Sequence, residues 1–259
     1  MSDDATADPV PTIVLLHGGG TTGRQWDLVL DELRAPALAP NVPGRLDRPA
    51  DPQEVTLDAA LTSIVADVDA ATDGPVVLVA HSSGGLLVPG LVDRLAGRVR
   101  ALVWLAASIP AEGGTGMDCM QPRHRERIEQ FKAYAESSGV PFVTPAEPPE
   151  RERMRTAYGE PLTEEQLDFV LDPVRWVSDT YNFYFEPLSL GALAPLPRLY
   201  IRTLRDRAVS IELQEAMLAR MPGTPTIALD SGHVPMVTMA ATVAAIVDGV
   251  AADVARADG

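Results

Sequence analysis

A hexapeptide at the end of an apolar run, Ala80-His81-Ser82-Ser83-Gly84-Gly85, constrains the fold of this chain more than any other stretch. Very small residues lie two positions before Ser82 and two positions after it, as a sharp turn from a strand into a helix requires. The apolar run 75–79 predicts a buried strand before the turn, and apolar residues at helical spacing over 86–95 predict a helix after it. The sequence therefore predicts a strand, a turn and a helix that present the Ser82 hydroxyl in a cleft.

Serine chemistry at this turn would need a base, and histidine is the usual one. A serine hydroxyl attacks only when an imidazole accepts its proton and a carboxylate holds that imidazole. Without such partners the motif is an ordinary glycine- and serine-rich turn. The chain has four histidines. Of these, His17 is suited to organising a loop, His81 is the neighbour of the serine, and His124 lies in a charged segment typical of an exposed helix face. His233 follows the strand-like run 226–229, where the base is expected.

The acid is expected on the loop after the preceding strand, because the order along the chain is serine, acid, histidine. Asp206 meets this condition, since it follows the apolar run 199–201. The alternative for Asp206 is an exposed carboxylate paired with a neighbouring arginine. Asp230 is the rival acid, but it lies only three residues before His233 and would have to fold back on its own loop. Two less favoured acids follow the run 99–105, namely Glu112 and Asp118.

Backbone amides are expected to hold the negative charge that develops on a substrate oxygen. The Ser83 amide is one candidate, because it opens the helix after the nucleophile. The second is predicted in the loop after His17, where glycines allow the backbone to approach a substrate closely. We assign it to Gly19, with Gly18 and Gly20 as alternatives. A phosphate-binding loop is the competing interpretation, but no Gly-Lys-Ser/Thr pattern follows these glycines.

The strongly acidic composition narrows the partners of this protein. A formal net charge of −15 leaves no basic surface for a phosphate backbone, so no nucleic-acid partner is expected. No apolar run reaches the length of a membrane span, and residues 1–4 lack the basic and apolar features of a secretion signal. We therefore expect no membrane partner and predict a cytoplasmic location. The lone Cys119 has no second cysteine for an internal disulfide.

Strand-like and helix-like segments alternate over most of the 259 residues. Strands are predicted at 12–16, 37–39, 75–79, 99–105, 199–201 and 226–229. Helices are predicted at 25–33, 54–71, 86–95, 210–221 and 238–254. Alternation of this kind is typical of an α/β fold, in which helices flank a mostly parallel sheet, here of about six strands. We assign residues 1–110 and 198–259 to this core.

Residues 111–197 interrupt the alternation after the fourth predicted strand. This stretch is helix-like and punctuated by prolines, and we predict that it forms a helical cap over the strand ends. It contains ten of the thirteen aromatic residues of the chain: Phe131, Tyr134, Phe142, Tyr158, Phe169, Trp176, Tyr181, Phe183, Tyr184 and Phe185. Aromatic rings suit an apolar pocket for a small molecule. The simpler interpretation is that each ring packs within the small core of the cap itself.

These motifs resemble the α/β-hydrolases, and specifically the compact branch that contains plant methylesterases, hydroxynitrile lyases and many bacterial esterase-like proteins. The resemblance extends from about Thr12 to the C-terminus and is weakest over the cap. It implies an α/β-hydrolase fold with six parallel strands and a helical cap, no cofactor and no metal, and ester hydrolysis through an acyl-enzyme. The residues that carry it are Leu15-Leu16-His17-Gly18, Trp26, Pro43-Gly44, His81-Ser82-Ser83-Gly84-Gly85, Leu199-Tyr200-Ile201, Asp206, Gln214, Met217 and Leu229-Asp230-Ser231-Gly232-His233-Val234-Pro235-Met236.

Some positions depart from the pattern of this branch. Ala80 replaces the usual first glycine of the turn, at little cost because alanine is nearly as small. Hydroxynitrile lyases carry a threonine where this chain has Gly18 and a lysine where it has Val234, which disfavours lyase activity here. Relatives that open epoxides or remove halides use an aspartate as the nucleophile, and Ser82 disfavours both reactions.

The sequence thus predicts a serine hydrolase in which Ser82, Asp206 and His233 form a catalytic triad. The amides of Gly19 and Ser83 would form the oxyanion hole. The predicted substrate is a carboxylic ester, thioester or lactone of an apolar small molecule. The same residues could instead serve a lyase, carbon–carbon cleavage or cyclisation step in a biosynthetic pathway, or a binding protein with slow turnover. The sequence leaves open whether the protein is a homodimer.

Overall fold

Six parallel strands form the central sheet of the computed structural model, which describes residues 10–258. The strands are β1 (Thr12–Leu16), β2 (Ala37–Leu38), β3 (Val76–His81), β4 (Val99–Leu105), β5 (Arg198–Thr203) and β6 (Thr226–Leu229). Their order across the sheet is β2-β1-β3-β4-β5-β6, and every neighbouring pair is parallel. The predicted parallel sheet is confirmed, and each strand begins and ends within two residues of its predicted position.

The strand order reverses between β1 and β3, which makes this the switch point of the sheet. The chain leaves β1 for the edge strand β2 and then returns to the other side of β1 to form β3. Crossover connections on either side of such a point leave on opposite faces, and in open α/β sheets this is where ligand-binding crevices typically form, above the carboxyl ends of the two strands. The loops after β1 and β3, which contain Gly19 and Ser82, therefore meet at this crevice.

Both faces of the sheet are buried, which explains why its strands are continuous apolar runs. Successive side chains of a strand point to opposite faces. In β3, Leu78 belongs to the core cluster on one face, whereas Val77 and Val79 belong to the cluster on the other face. All three side chains are fully buried. A shift of one residue would exchange the two sets, so the packing fixes the register of the strand.

Helices cover both faces. The α-helices are α1 (Asp27–Leu30), α2 (Leu57–Ala71), α3 (Val88–Arg94), α4 (Pro122–Ser138), α5 (Arg151–Met154), α6 (Glu164–Leu171), α7 (Ile211–Leu218), α8 (Pro235–Thr238) and α9 (Ala240–Asp258). Short 3-10 helices occur at Gly23–Trp26, Pro52–Glu54, Ser82–Leu86, Gly116–Cys119, Asn182–Phe185 and Gly191–Leu193. No helix within residues 10–258 is both long enough and apolar enough to span a bilayer.

Several helix boundaries differ from those predicted. The helix expected at 54–71 begins three residues later, because the Thr56 side chain caps it by accepting a hydrogen bond from the Ala59 amide. The helix expected at 25–33 is a 3-10 turn followed by the four-residue α1. The closing helix is divided at Met239 into α8 and α9. The first nine residues of the predicted core, including residues 1–4, and the final residue of the chain lie outside the described part.

The segment between β4 and β5 contains α4, α5 and α6, separated by 3-10 turns and irregular backbone. Its buried apolar residues do not form a cluster of their own among the described residues. Phe183 and Leu193 join the core cluster on one face of the sheet, and Met154 and Leu167 join the cluster on the other. The insertion thus packs against both halves of the main core. The division into a core and a separate cap stays a prediction.

Two histidines are buried at the carboxyl ends of the central strands. His17 follows β1, and its Nδ1–H donates to the Gly18 carbonyl oxygen at 2.9 Å. Burial and the nearby Arg45 guanidinium lower the pKa of His17 to about 3. His81 ends β3, and its Nε2–H donates to the His233 carbonyl oxygen at 2.8 Å. Burial lowers the pKa of His81 well below its ordinary value. Both imidazoles are therefore neutral structural groups at neutral pH.

Because burial lowers the pKa values of His17 and His81 in the folded protein, we expect the protein to lose stability in mild acid. In the unfolded chain a histidine takes up its proton near pH 6.5, whereas His17 in the folded protein resists protonation down to about pH 3. The unfolded state therefore binds more protons between these limits, and the free energy of unfolding falls as the pH falls below about 6.5. We expect a slope of about 1.4 kcal/mol per pH unit from each such histidine.

Urea unfolding at several values between about pH 7.5 and about pH 4.5 measures this slope. In the His17→Asn variant the slope of the free energy of unfolding against pH should be smaller by the contribution of one histidine. His124→Asn alters an exposed residue of α4 and should change this slope much less. Parallel stability curves for the native protein and His17→Asn would show that His17 does not titrate as described.

Candidate active site

Ser82 lies at a strained turn that the surrounding backbone holds in place. Its φ angle is +52°, a left-handed conformation that is rare for a residue with a side chain. The Ser82 carbonyl oxygen accepts a hydrogen bond from the Ser108 amide at 2.8 Å. A Cβ atom added to Gly84 would lie 2.7 Å from the His17 carbonyl oxygen, and one added to Gly85 would lie 2.2 Å from the Ser108 carbonyl oxygen. Only glycine allows this close approach, which fixes the turn.

Ser82, His233 and Asp206 form a continuous chain of hydrogen bonds. The Ser82 Oγ lies 3.1 Å from His233 Nε2, and His233 Nδ1 lies 2.7 Å from Asp206 Oδ2. A carboxylate can only accept, so Nδ1 carries the proton and Nε2 is left to accept from the serine hydroxyl. The histidine is 6 % exposed. This tautomer allows His233 to remove the Ser82 proton.

The Asp206 carboxylate is fully buried and saturated with donors. Its Oδ2 accepts from the Thr203 hydroxyl at 2.9 Å as well as from His233. Its Oδ1 accepts from the amides of Ala208 and Val209, both at 2.8 Å. Hydrogen bonds to a charged acceptor are strong, and together they fix both oxygens. These hydrogen bonds hold Asp206 in the position from which it orients the imidazole.

The rival acids lie elsewhere. Asp230 points to solvent with a side chain 78 % exposed, and its Oδ1 pairs with Arg205 Nε at 2.8 Å. Glu112 accepts from the Ser189 hydroxyl at 2.8 Å, and Asp118 accepts from a nearby backbone amide of its own loop. The structure thus brings Asp206 to the histidine and leaves these three carboxylates engaged elsewhere.

The glycine loop after β1 lies directly beside Ser82. A Cβ atom added to Gly18 would lie 3.1 Å from Ser82 Cβ. The Gly20 amide is already engaged, because it donates to Asp179 Oδ2 at 2.9 Å. The Gly19 amide has no acceptor among residues 10–258. Ser83 is the second residue of its 3-10 helix, a position whose amide has no acceptor within the helix. The Gly19 and Ser83 amides thus lie beside Ser82, and their assignment as oxyanion donors stays a prediction.

Two tyrosines of the inserted segment also reach the site, and both belong to the aromatic set for which the sequence predicted either a pocket or packing within the insertion. The Tyr184 hydroxyl lies 3.0 Å from where a Cβ on Gly19 would stand, and the Ser83 hydroxyl lies 3.1 Å from the same point. Burial raises the pKa of Tyr184, so the phenol stays neutral. The Tyr158 carbonyl oxygen accepts from the His233 amide at 2.8 Å, and the centres of their rings are 5.8 Å apart. Only the folded chain brings these distant residues together.

Four other aromatic rings of the insertion contact one another. The ring centres of Phe131 and Phe142 are 5.4 Å apart, and those of Phe142 and Tyr181 are 5.0 Å apart. Phe142 also packs against Phe185, with ring centres 5.9 Å apart. For these residues the simpler interpretation of the sequence, packing within the insertion, describes what the structure contains.

Within the described part of the chain, no group of three or more His, Cys, Asp or Glu residues is arranged to hold a metal ion. Cys119 is buried, and burial raises the pKa of its thiol to about 11. The thiol is therefore protonated at neutral pH and a poor nucleophile.

Curated relatives are esterases and hydrolases. The chain is 26 % identical over 246 residues to a pyrethroid hydrolase of Sphingobium wenxiniae, with 89 % of this chain and 84 % of that protein covered. It is 28 % identical over 167 residues to Methylesterase 17 of Arabidopsis thaliana, with 62 % of this chain and 60 % of that protein covered.

Solved structures share the fold. An extracellular α/β-hydrolase from a Paenibacillus species superposes with a TM-score of 0.77 at 19 % identity, covering 92 % of this chain and 97 % of that one. A pyrethroid hydrolase from Sphingobium faniae superposes with a TM-score of 0.72 at 22 % identity, covering 93 % and 97 %. The sequence model of the alpha/beta hydrolase family matches residues 13–246. That match covers most of the chain, and the protein therefore belongs to the alpha/beta hydrolase family.

Proposed function

We propose that this protein is a serine hydrolase that cleaves a carboxylic ester, thioester or lactone of an apolar small molecule through an acyl-enzyme. One observation carries the proposal: hydrogen bonds of 3.1 Å and 2.7 Å link Ser82 Oγ to His233 and His233 to the buried Asp206. The relatives named above are called esterases and hydrolases, which supports ester hydrolysis at the level of the family.

Ser82, His233 and Asp206 each have a distinct role in the proposed reaction. The Ser82 oxygen attacks the carbonyl carbon of the substrate while His233 Nε2 takes the hydroxyl proton. The imidazolium that forms is stabilised by the Asp206 carboxylate on Nδ1. His233 then gives the proton to the leaving alcohol, thiol or ring oxygen, and the acyl group stays on Ser82. Water attacks this ester next, again with His233 as the base, and releases the acid.

The amides of Gly19 and Ser83 are proposed to hold the oxyanion of each tetrahedral intermediate. Both lie next to the nucleophile, one on the loop after β1 and the other on the turn after β3. Backbone donors already fixed in direction need no reorganisation when charge develops, and removal of one such donor typically costs about 10²–10³ in kcat.

An apolar substrate is supported by the walls of the crevice. Tyr158 lies against His233, and Tyr184 lies against Gly19. Neither phenol ionises at neutral pH, since burial raises the pKa of Tyr158 to about 12 and raises that of Tyr184 as well. The net charge of −15 disfavours strongly anionic substrates. A cytoplasmic location and the absence of nucleic-acid and membrane partners stay predictions from the sequence.

Replacement of the nucleophile tests the proposal. Ser82→Ala should reduce turnover of p-nitrophenyl esters by several orders of magnitude and abolish labelling by an alkyl phosphonate, because no other residue replaces a triad serine. Ser231→Ala is a useful control, since Ser231 is a buried loop serine near His233 that has no role in the mechanism. More than about a tenth of native turnover in Ser82→Ala would refute the proposal. Labelling without ester turnover in the native protein would favour a lyase, cyclase or binding role.

A pair of aspartate variants tests the acid. Asp206→Asn should lower kcat by about four orders of magnitude, since an amide on Nδ1 favours the wrong imidazole tautomer. Asp230→Asn should change kcat by less than about twofold, because Asp230 is exposed and paired with Arg205. Steady-state kinetics on one p-nitrophenyl ester measures both. The reverse ranking would assign the acid to Asp230.

A further inference from the structure

The inserted segment is tied to the glycine loop by an antiparallel stretch of backbone. The Val177 amide donates to the Gly20 carbonyl oxygen at 3.0 Å, and Thr21 pairs with Trp176 in an antiparallel bridge. The Thr22 hydroxyl extends this contact by donating to the Val174 carbonyl oxygen at 2.8 Å. The loop that offers the Gly19 amide is therefore held from the side of the insertion as well as by β1.

Asp179 ends this stretch with a carboxylate buried against the loop. Its Oδ2 accepts from the Gly20 amide at 2.9 Å and lies 3.5 Å from where a Cβ on Gly19 would stand. Its Oδ1 accepts from the Thr180 amide at 2.8 Å and pairs with Arg45 Nη2 at 2.7 Å. The side chains of Asp179 and Arg45 are only 8 % and 3 % exposed.

Arg45 also connects the glycine loop to the inserted segment. Its Nε donates to the Thr21 carbonyl oxygen at 2.8 Å while Nη2 pairs with Asp179. The planar guanidinium fixes both contacts in one geometry, which an ammonium on a flexible stem would not do. Arg45 also neutralises the Asp179 carboxylate, whose charge would otherwise lie close to the oxyanion that Gly19 is proposed to hold.

Three successive glycines need such anchors. Glycine backbone has wide conformational freedom, and nothing in the side chains of residues 18–20 limits the direction of the Gly19 amide. The peptide that contains this amide is held because its Gly18 carbonyl oxygen accepts from His17 Nδ1–H at 2.9 Å and lies 2.9 Å from the Thr21 hydroxyl. The peptide after Gly19 is held because the Gly20 amide donates to Asp179. An oxyanion donor acts by being fixed in advance, so both anchors bear on the rate.

We propose that Asp179, held by Arg45, is a positioning residue that aims the Gly19 amide at the oxyanion. The inference rests on the proposed function and adds to it a residue of the inserted segment, which thereby sets the geometry of the core loop. Asp179 does not contact the reacting atoms. Its loss should lower kcat by about 10- to 100-fold, as displacement of a catalytic group by about 1 Å does, while KM changes by less than about threefold.

The experiment compares kcat and KM for Asp179→Ala, Asp179→Asn and Arg175→Met on one p-nitrophenyl ester. Asn keeps an oxygen that accepts from the Gly20 amide, so Asp179→Asn should recover part of the kcat lost in Asp179→Ala. Arg175 is the matched control, because it is a poorly exposed arginine of the same segment whose bonds, to Asp27 at 2.6 Å and to the Arg24 carbonyl oxygen at 3.0 Å, do not involve Gly18, Gly19 or Gly20. Arg175→Met should keep kcat within about twofold of the native value.

Inhibitor binding distinguishes a change in the orientation of the Gly19 amide from a general distortion of the pocket. An alkyl trifluoromethyl ketone that forms a tetrahedral adduct with Ser82 should bind more weakly to Asp179→Ala by about the same factor as kcat falls, because both depend on the oxyanion donors. The corresponding methyl ketone, which forms little adduct, should bind almost as well as to the native protein. Equal weakening of both ketones would indicate a distorted pocket and overturn the inference.

A double variant keeps the test decisive if Asp179→Ala fails to fold. Arg45→Met/Asp179→Ala removes both buried charges, so no unpaired charge is left in the interior. It still lacks the acceptor for the Gly20 amide and should remain slow in kcat. A folded single or double variant with kcat within about threefold of native would overturn the proposal. Absence of Ser82-dependent turnover in the native protein would instead refute the proposed function.

Discussion

The backbone turn at Ser82 is the constraint on which the rest of the site depends. Its left-handed φ of +52° is unfavourable for serine and persists because packing around Gly84 and Gly85 leaves no room for another path. The turn lifts the hydroxyl off the end of β3, next to the glycine loop that follows β1. Because β1 and β3 flank the switch point of the sheet, these two loops share one crevice. The order of the strands in the sheet therefore determines where the serine and the amides beside it lie.

Hydrogen bonds fix the arrangement of the buried polar groups around this turn. Asp206 is surrounded by donors that fix both of its oxygens, so it orients His233 through Nδ1 and leaves Nε2 to accept from Ser82. His81 is held neutral by burial and donates to the backbone of His233. The loop that carries the proposed base is therefore supported by two different strand ends, β3 through His81 and β5 through Asp206.

The sequence predicts the core well because its signals are local. An apolar run in a sheet buried on both faces, a turn of very small residues and the order of loops after successive strands each involve a few neighbouring residues. These signals led to Ser82, Asp206 and His233. They favoured Asp206 over Asp230 because Asp206 follows the preceding strand, whereas Asp230 would have to fold back on the loop that carries His233. The structure has Asp206 at 2.7 Å from the histidine and Asp230 in solvent. Helix boundaries were less accurate, since caps such as Thr56 compete with apolar periodicity.

For the insertion the only signal was its aromatic-rich composition, which did not identify the residues that reach the site. Asp179 lies 159 residues from Gly20, and Tyr158 and Tyr184 are likewise far in sequence from the loops they contact, in a stretch with little regular structure. Arg45 follows a Pro-Gly turn and is indistinguishable in sequence from an exposed arginine, although it is 3 % exposed. Such pairings depend on how the insertion folds onto the core, which apolar periodicity does not encode. The insertion therefore influences the site through contacts that only the three-dimensional structure reveals.

Covalent capture by a p-nitrophenyl N-alkylcarbamate tests the central claim most directly, because carbamoyl-enzymes hydrolyse slowly and accumulate. The account predicts one p-nitrophenol released per chain, a matching increase in intact mass, and a carbamoyl group on the peptide that contains Ser82. Asp206→Asn should slow this capture strongly, and Ser82→Ala should prevent it. A carbamoyl group on any other residue, or unchanged capture in Ser82→Ala, would contradict the assignment of Ser82 as the nucleophile of this site.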